Sequence, residues 1–240
     1  MTQGVLYILY DLGSKISYTN ELKTSIRSLR KHCDLPITVY TDGSSLSGVD
    51  NIKIVKINEL KELAPDHKRE DPLDRGYAFL KLYALKDLPY DFTIFADTDT
   101  YFLNDPSKLI SEDNDLAICR DFKYKRDNTN PLTKRFNTGF FIAKKGKNFE
   151  LLIDKAIEIR EEKSVMCDQV AINQAMDYTC NIDIKILPQS WNIRGRYWLN
   201  FCQITNPNML HWHGASERVA KKYGEVVELV DTMDLKSIGH

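Results

Sequence analysis

Apolar residues along this chain fall into short runs separated by helical patterns, as expected for alternating strands and helices. Val5 to Tyr10 is uniformly apolar and predicts a buried strand. After Asn20, Leu22, Ile26 and Leu29 recur on one face and predict a helix. Ile37 to Tyr40 predicts a second strand running into Thr41-Asp42-Gly43, and Ile52, Ile54 and Ile57 a third after a Gly/Ser-rich turn. A helix over Gly76 to Lys86, with Phe79, Leu80 and Tyr83 on one face, leads into the strand Phe92 to Ala96. Strand-then-helix alternation favours parallel pairing, because parallel neighbours need a crossover connection.

The second half changes character. Strands at Leu116 to Cys119 and Gly139 to Ala143 bracket a polar loop, DFKYKRDNTNPLTKRFN. Phe149 to Glu162 predicts an amphipathic helix with Leu152, Ile153, Ala156, Ile157 and Ile159 inward, and Asp168 is placed as the cap of another running to Met176. A strand near Ile182 to Ile186, the aromatic and Arg-rich loop QSWNIRGRYW, the apolar Met209-Leu210 before HWHG, and a weak terminal helix complete the chain. The pattern predicts an α/β fold with helices packed on a mostly parallel sheet.

Composition narrows the class. At 240 residues one domain is the default. Lys plus Arg number 33 against 34 Asp plus Glu, so no basic excess announces a nucleic-acid partner. The five cysteines, Cys33, Cys119, Cys167, Cys180 and Cys202, are odd in number and form no C-x-x-C pair. That argues against a disulfide framework or zinc knuckle and predicts a reducing, cytoplasmic setting. The opening MTQGVLYILYDLGSK has too short an apolar run for a signal peptide, and no stretch approaches the roughly 20 apolar residues of a membrane span. Peripheral membrane contact is the most this predicts.

The chemistry concentrates in FADTDTYFLND, where an apolar strand runs straight into acids. In open α/β sheets ligands sit beyond the carboxyl ends of the strands, which is where Asp97 and Asp99 fall. Residues two apart in extended chain point to one side, so both carboxylates are expected to converge on one hard cation, Mg2+ or Mn2+. Without a cation or donor network, such a pair would be costly through mutual repulsion.

Four segments, in order, resemble the GT-A-fold glycosyltransferases, most closely the retaining enzymes of glycosyltransferase family 8, which include glycogenin and bacterial lipopolysaccharide galactosyltransferases. FADTDTYFLND resembles the family's metal-binding D-x-D segment, RFNTGFFIAKK its F-N-x-G strand, CDQVAINQA its D-Q-x-x-x-N helix start, and LHWHG its H-x-x-G turn. The resemblance implies one GT-A domain with a Rossmann-like sheet and a smaller acceptor-side sheet region, residues 1–105 being the nucleotide-binding half and 106–240 the acceptor-binding half. It implies that Asp97, Asp99 and His211 hold the metal, His213 being the competing ligand, and that Asp97 also contacts the nucleotide ribose. Asn137 and Asp168 would face the donor sugar, and Gln169 would lie near the reacting carbon. The usual Lys-Pro-Trp element after H-x-x-G is absent, leaving Arg218, Lys221 or Lys222 in HWHGASERVAKKYG to grip the diphosphate. Tyr10, Asp11 and Asp42 end the first two strands and are candidates for the base, with Tyr18 available for stacking.

Blander readings stand beside several of these residues. Asp168 is equally explained as a helix cap, and Asn137 with Gly139 as turn chemistry, although glycine also lets a sugar approach the backbone. Lys81 is either an exposed helix lysine or a partner for a site acid and the donor. Trp191, Asn192, Arg194, Arg196 and Trp198 are candidate acceptor contacts, or core.

The implied activity is metal-dependent transfer of a sugar, from a UDP-sugar by preference, to a hydroxyl of a carbohydrate or glycoconjugate with retention. Three alternatives stay open: an inverting transferase with Asp168 as base, a sugar-1-phosphate nucleotidyltransferase, and a catalytically silent carbohydrate-binding domain. The second should carry a Gly-rich basic segment after the first strand, and YDLGSKISY matches that poorly.

Overall fold

The computed structural model describes residues 1–9, 18–41, 46, 48, 52–56, 76–121, 136–163, 167–179, 181–194 and 207–211. Its core begins at β1 (Gln3–Leu9), where Val5, Leu6, Tyr7 and Leu9 are all buried. A strand buried on both faces has neighbours on both edges, and β1 lies between β2 (Ile37–Thr41) and β4 (Phe92–Ala96), parallel to each. β3 (Ile52–Lys56) extends this parallel group beyond β2. On the other side β7 (Phe136–Lys144) runs antiparallel to both β4 and β6 (Leu116–Arg120), and β8 (Ile184–Leu187) pairs parallel to β6. Among the described residues this gives a seven-stranded sheet in the order β3-β2-β1-β4-β7-β6-β8.

Strand alternation sends neighbouring side chains into two separate cores. Phe95 and Phe141 stack with centroids 4.9 Å apart in the core that contains Leu82 and Leu85 of α2 (Gly76–Leu85), Leu152, Ile153, Ala156, Ile157 and Ile159 of α3 (Lys147–Lys163), and Ala171 and Ile172 of α4 (Asp168–Ala175). Ile94 and Phe140 turn the opposite way, onto Leu22, Ile26 and Leu29 of α1 (Thr19–Arg30). A second sheet joins β5 (Thr100–Phe102) to β10 (Met209–His211) and β10 to β9 (Ile193–Arg194). Since β5 follows β4 after only a short turn, this small sheet stands at the carboxyl edge of the large one.

The α/β expectation holds, with β7 and its antiparallel pairing making the sheet mixed. β4 has the expected limits, while β7 begins three residues before the expected Gly139 because Phe136 already pairs with Arg120. Asn20 is the second residue of α1, and Tyr18 occupies the cap position. Cys167 rather than Asp168 caps α4. Ile57, the side chains of Phe79 and Leu80, and the terminal helix lie outside the described residues. No helix among the described residues is long and apolar enough to cross a membrane.

Candidate active site

The acids are delivered by a strand that stops and a chain that turns. The Asp97 N–H donates to the Gly139 carbonyl at 2.8 Å, one step past the last β4–β7 pair. Residues 98 and 99 form a turn, and β5 departs into the second sheet. Asp97 and Asp99 therefore converge across a turn, a correction to the expectation that extended-chain alternation aligns them.

That turn is tied down from beneath. Thr100 Oγ1 donates to the Asp97 carbonyl at 2.9 Å, so Ser25 Oγ, 2.8 Å away, donates to Thr100, and the Tyr7 hydroxyl, 3.0 Å from Ser25, donates to Ser25. The chain of hydroxyls is buried, and burial pushes the Tyr7 phenol well above its usual range. Tyr7→Phe removes the head of this chain and should lower the unfolding free energy by about 1 kcal/mol, read as the shift of a urea melt.

His211 comes from β10, where it lies opposite Thr100 of β5. Its side chain is buried, and Nε2 stands 3.2 Å from Asp99 Oδ1 and 3.6 Å from Asp97 Oδ2. Ligand atoms from the three residues all lie within 4.8 Å of one another, close enough to share one cation. An imidazole nitrogen with two carboxylate oxygens is a donor set compatible with a divalent cation such as Mn2+. Gly139 is required here for space: a β-carbon would collide with the His211 ring and the Asp97 carboxylate. The close approach that glycine permits is thus that of two protein side chains.

The other oxygen of Asp97 meets Lys81, carried by α2. Lys81 Nζ lies 3.2 Å from Asp97 Oδ1 and 3.1 Å from Asp168 Oδ2, donates to the Thr138 carbonyl at 2.6 Å, and sits 4.3 Å from the Phe95 ring centre. It is buried, which overturns the exposed-lysine reading. Burial pulls its pKa down, but the Asp168 and Asp97 carboxylates pull it up and prevail. Asp97 behaves differently, although 34% of its side chain remains open to the cleft. Burial is the main cause that raises its pKa, with Asp99 and Asp168 adding to the rise and Lys81 and His211 opposing it. Asp97 and Asp168 on one lysine, with Asp99 beside His211, leave negative charge for a further cation to balance.

Asp168 is the first residue of α4 yet makes no capping bond; its Oδ2 accepts from Thr138 Oγ1 at 3.0 Å as well as meeting Lys81. The helix-cap reading of Asp168 is overturned. Gln169 follows, its Oε1 accepting from the Thr138 N–H at 3.4 Å and its Nε2 donating to Asp121 Oδ2 at 3.1 Å. Asn173, one turn on, accepts from the Phe136 N–H and donates to the Phe136 carbonyl, docking α4 against β7. Asp121 gave no signal in the sequence, whereas Asn173 is the closing residue of the D-Q-x-x-x-N pattern.

Asn137 Oδ1 accepts from the Gly139 N–H and from Asn192, whose side chain reaches His211. Lys81, Asp97, Asp99, Asn137, Asp168, Gln169, Asn192 and His211 are thereby brought together. Trp191, a candidate acceptor contact, is 7% exposed and stacks on Phe140 at 6.0 Å, so it is placed in the core. Asn192, from the same loop, is also buried. Tyr18 packs against the core near α1. Arg194 pairs through its backbone with His211, while its side chain, together with Tyr10, Asp11, Asp42, Arg196, Trp198, His213, Arg218, Lys221 and Lys222, lies outside the described residues.

The profile of the nucleotide-diphospho-sugar transferase family matches residues 82–223, more than half of the chain. No curated protein sequence matches this one. Among solved structures, the galactosyltransferase LgtC in complex with donor and acceptor sugar analogues is 13% identical, with a TM-score of 0.64 over 92% of this chain and 95% of that one. The bifunctional glycosyltransferase WbbM is 16% identical, with a TM-score of 0.64 over 90% of this chain and 46% of its own. Mouse xyloside xylosyltransferase 1 is 10% identical, with a TM-score of 0.60 over 89% and 98%. At such identities these likenesses establish the GT-A fold, and the profile establishes the family. The chain belongs to the nucleotide-diphospho-sugar transferases and is a glycosyltransferase of GT-A type.

Proposed function

We propose that this enzyme moves a sugar from a UDP-sugar to a hydroxyl of a carbohydrate or glycoconjugate, with divalent-metal dependence and retention of anomeric configuration. The observation that carries this reading is the sharing of Asp97: one oxygen faces Lys81 and the other His211, so the cation-binding acids and the Asp168–Gln169 pair form one charged unit. Mn2+ or Mg2+ held by Asp97, Asp99 and His211 would stabilise the charge that builds on the leaving nucleoside diphosphate. Residues up to 105 serve the nucleotide and those from 106 onward the acceptor, with Tyr10, Asp11 and Asp42 at the nucleotide and Arg218 at the diphosphate.

Retention follows from what the residues near the reacting carbon are able to do. Gln169 is an amide, too weak a base to take a proton from an acceptor hydroxyl. Asp168 is held by Lys81 and Thr138, and accepting a proton would cost it the ion pair with Lys81. In the proposed step the carbon–oxygen bond to the diphosphate breaks, the acceptor oxygen bonds to the same face of that carbon, and the acceptor proton goes to the departing diphosphate. Asp168, oriented by Lys81, holds the donor sugar while this happens.

The test is NMR of the protein with UDP-, GDP- and dTDP-sugars, with Mn2+ or Mg2+ and with chelator. Consumption of one UDP-sugar, only with metal and with unchanged anomeric configuration, is expected. Turnover that persists in chelator overturns the metal role, and an inverted product makes Asp168 the base.

A further inference from the structure

His211 can ligate a cation through Nε2 only if the ring proton resides on Nδ1, and the surrounding hydrogen bonds fix that choice starting from the backbone. The Gly139 N–H, which can only donate, lies 2.9 Å from the Asn137 side chain, so the atom there is the amide oxygen. That oxygen is 2.8 Å from the Asn192 side-chain amide, which must present its NH2 group. Asn192 Oδ1 consequently faces the other way, 3.0 Å from His211 Nδ1. An amide oxygen only accepts, so Nδ1 carries a hydrogen, and Nε2 is the ring atom on the side of Asp97 and Asp99, where a bound cation would meet its lone pair.

All three side chains are buried, Asn192 completely, which keeps bulk water from substituting for either amide. The Asn192 backbone is held as well: its N–H donates to the Gln189 carbonyl at 3.1 Å and its carbonyl accepts from Gln189 Nε2 at 3.0 Å. The pairing of β9 with β10 then fixes the distance from residue 192 to the His211 ring.

We propose that Asn192 is a positioning residue that sets His211 as the Nδ1–H tautomer, with Asn137 setting the direction of Asn192, so that Nε2 is presented to a divalent cation. This rests on the metal-dependent reading above. A metal-bound histidine whose other nitrogen donates to a fixed acceptor is held in ring orientation and tautomer together.

Two variants and one spectroscopic measurement test it. In Mg2+-saturated wild-type protein, 15N-resolved NMR of the His211 ring, assigned by comparison with His211→Ala, is expected to show the proton on Nδ1; a proton on Nε2 overturns the proposal. Asn192→Leu keeps the volume and loses the acceptor, so its Mn2+ dissociation constant, read by EPR, is expected to rise about 10–100-fold. Asn192→Asp still accepts from Nδ1–H and should stay within about threefold of wild type, even with a lower melting temperature. Unchanged Mn2+ affinity in Asn192→Leu overturns the proposal, and so does equal weakening in both variants, which would mark a packing role. Wild-type protein that binds no Mn2+ removes the metal reading and this proposal with it. If Asn192→Leu fails to fold, the wild-type tautomer still decides.

Discussion

Gly139→Ala is expected to abolish Mn2+ binding and to cut turnover by at least about 100-fold, the scale of loss when reacting groups are misplaced by about 1 Å. The added methyl would occupy space now filled by the His211 ring and the Asp97 carboxylate. Those two side chains must move, because Gly139 is fixed within β7 and its carbonyl accepts the Asp97 N–H. His211 has little room to retreat, being buried and packed on β10 between β5 and β9. Displacing both side chains separates two of the three ligand atoms, so the cation site fails while the main sheet survives. Overpacking should cost only about 1–3 kcal/mol of stability, leaving a folded protein at room temperature. Far-UV circular dichroism, a melting curve and a Mn2+ titration check this together. Wild-type Mn2+ affinity in the folded variant would sink the assignment of this cluster as a cation site.

What the sequence revealed and what it hid differ in range along the chain. FTIFA was legible as a strand because four apolar residues and one β-branched threonine stand between a polar turn and a run of acids. The inward face of α3 was legible for the same local reason, its apolar residues recurring at helical spacing. β5 was not: three residues are too few to show a period, and its identity comes from pairing with β10, over a hundred residues away. Asp168 illustrates the same limit at the site. An acid opening a helix has a sufficient local explanation, and only the arrival of Lys81 from a helix more than eighty residues earlier in the chain removes it. Asn192 was noticed, but as a contact for an acceptor, since nothing local distinguishes an asparagine that faces a ligand from one that orients a histidine. Motif order could be read from the chain; the hydrogen bonds that join the motifs had to be seen in space.

Lys81→Met is expected to lower stability by about 3 kcal/mol and to cost about 100-fold in turnover. Methionine keeps the stem packed near the Phe95 ring, so the change isolates the charge. Without the ammonium, Asp97 and Asp168 face each other across the site and the Thr138 carbonyl loses its donor. Breaking a fully buried pair costs about 3–5 kcal/mol, and the lower end applies because 34% of the Asp97 side chain is open to solvent, which screens it. On the proposed function, turnover falls because the two carboxylates move apart, and with them the proposed metal ligand Asp97 and the proposed donor-sugar contact Asp168. The pH dependence has a definite sign. Burial lowers the Lys81 pKa and the two carboxylates raise it further, so the folded-state value lies above the unfolded value of about 10.4. The lysine therefore contributes its full stabilisation at every pH below about 10.4 and loses it as pH rises through the higher folded-state value. Urea melts of the two proteins should differ by a constant amount from pH 7 to 10 and converge above that range. A gap that persists unchanged to pH 11 would assign the loss to packing and remove the electrostatic role of Lys81.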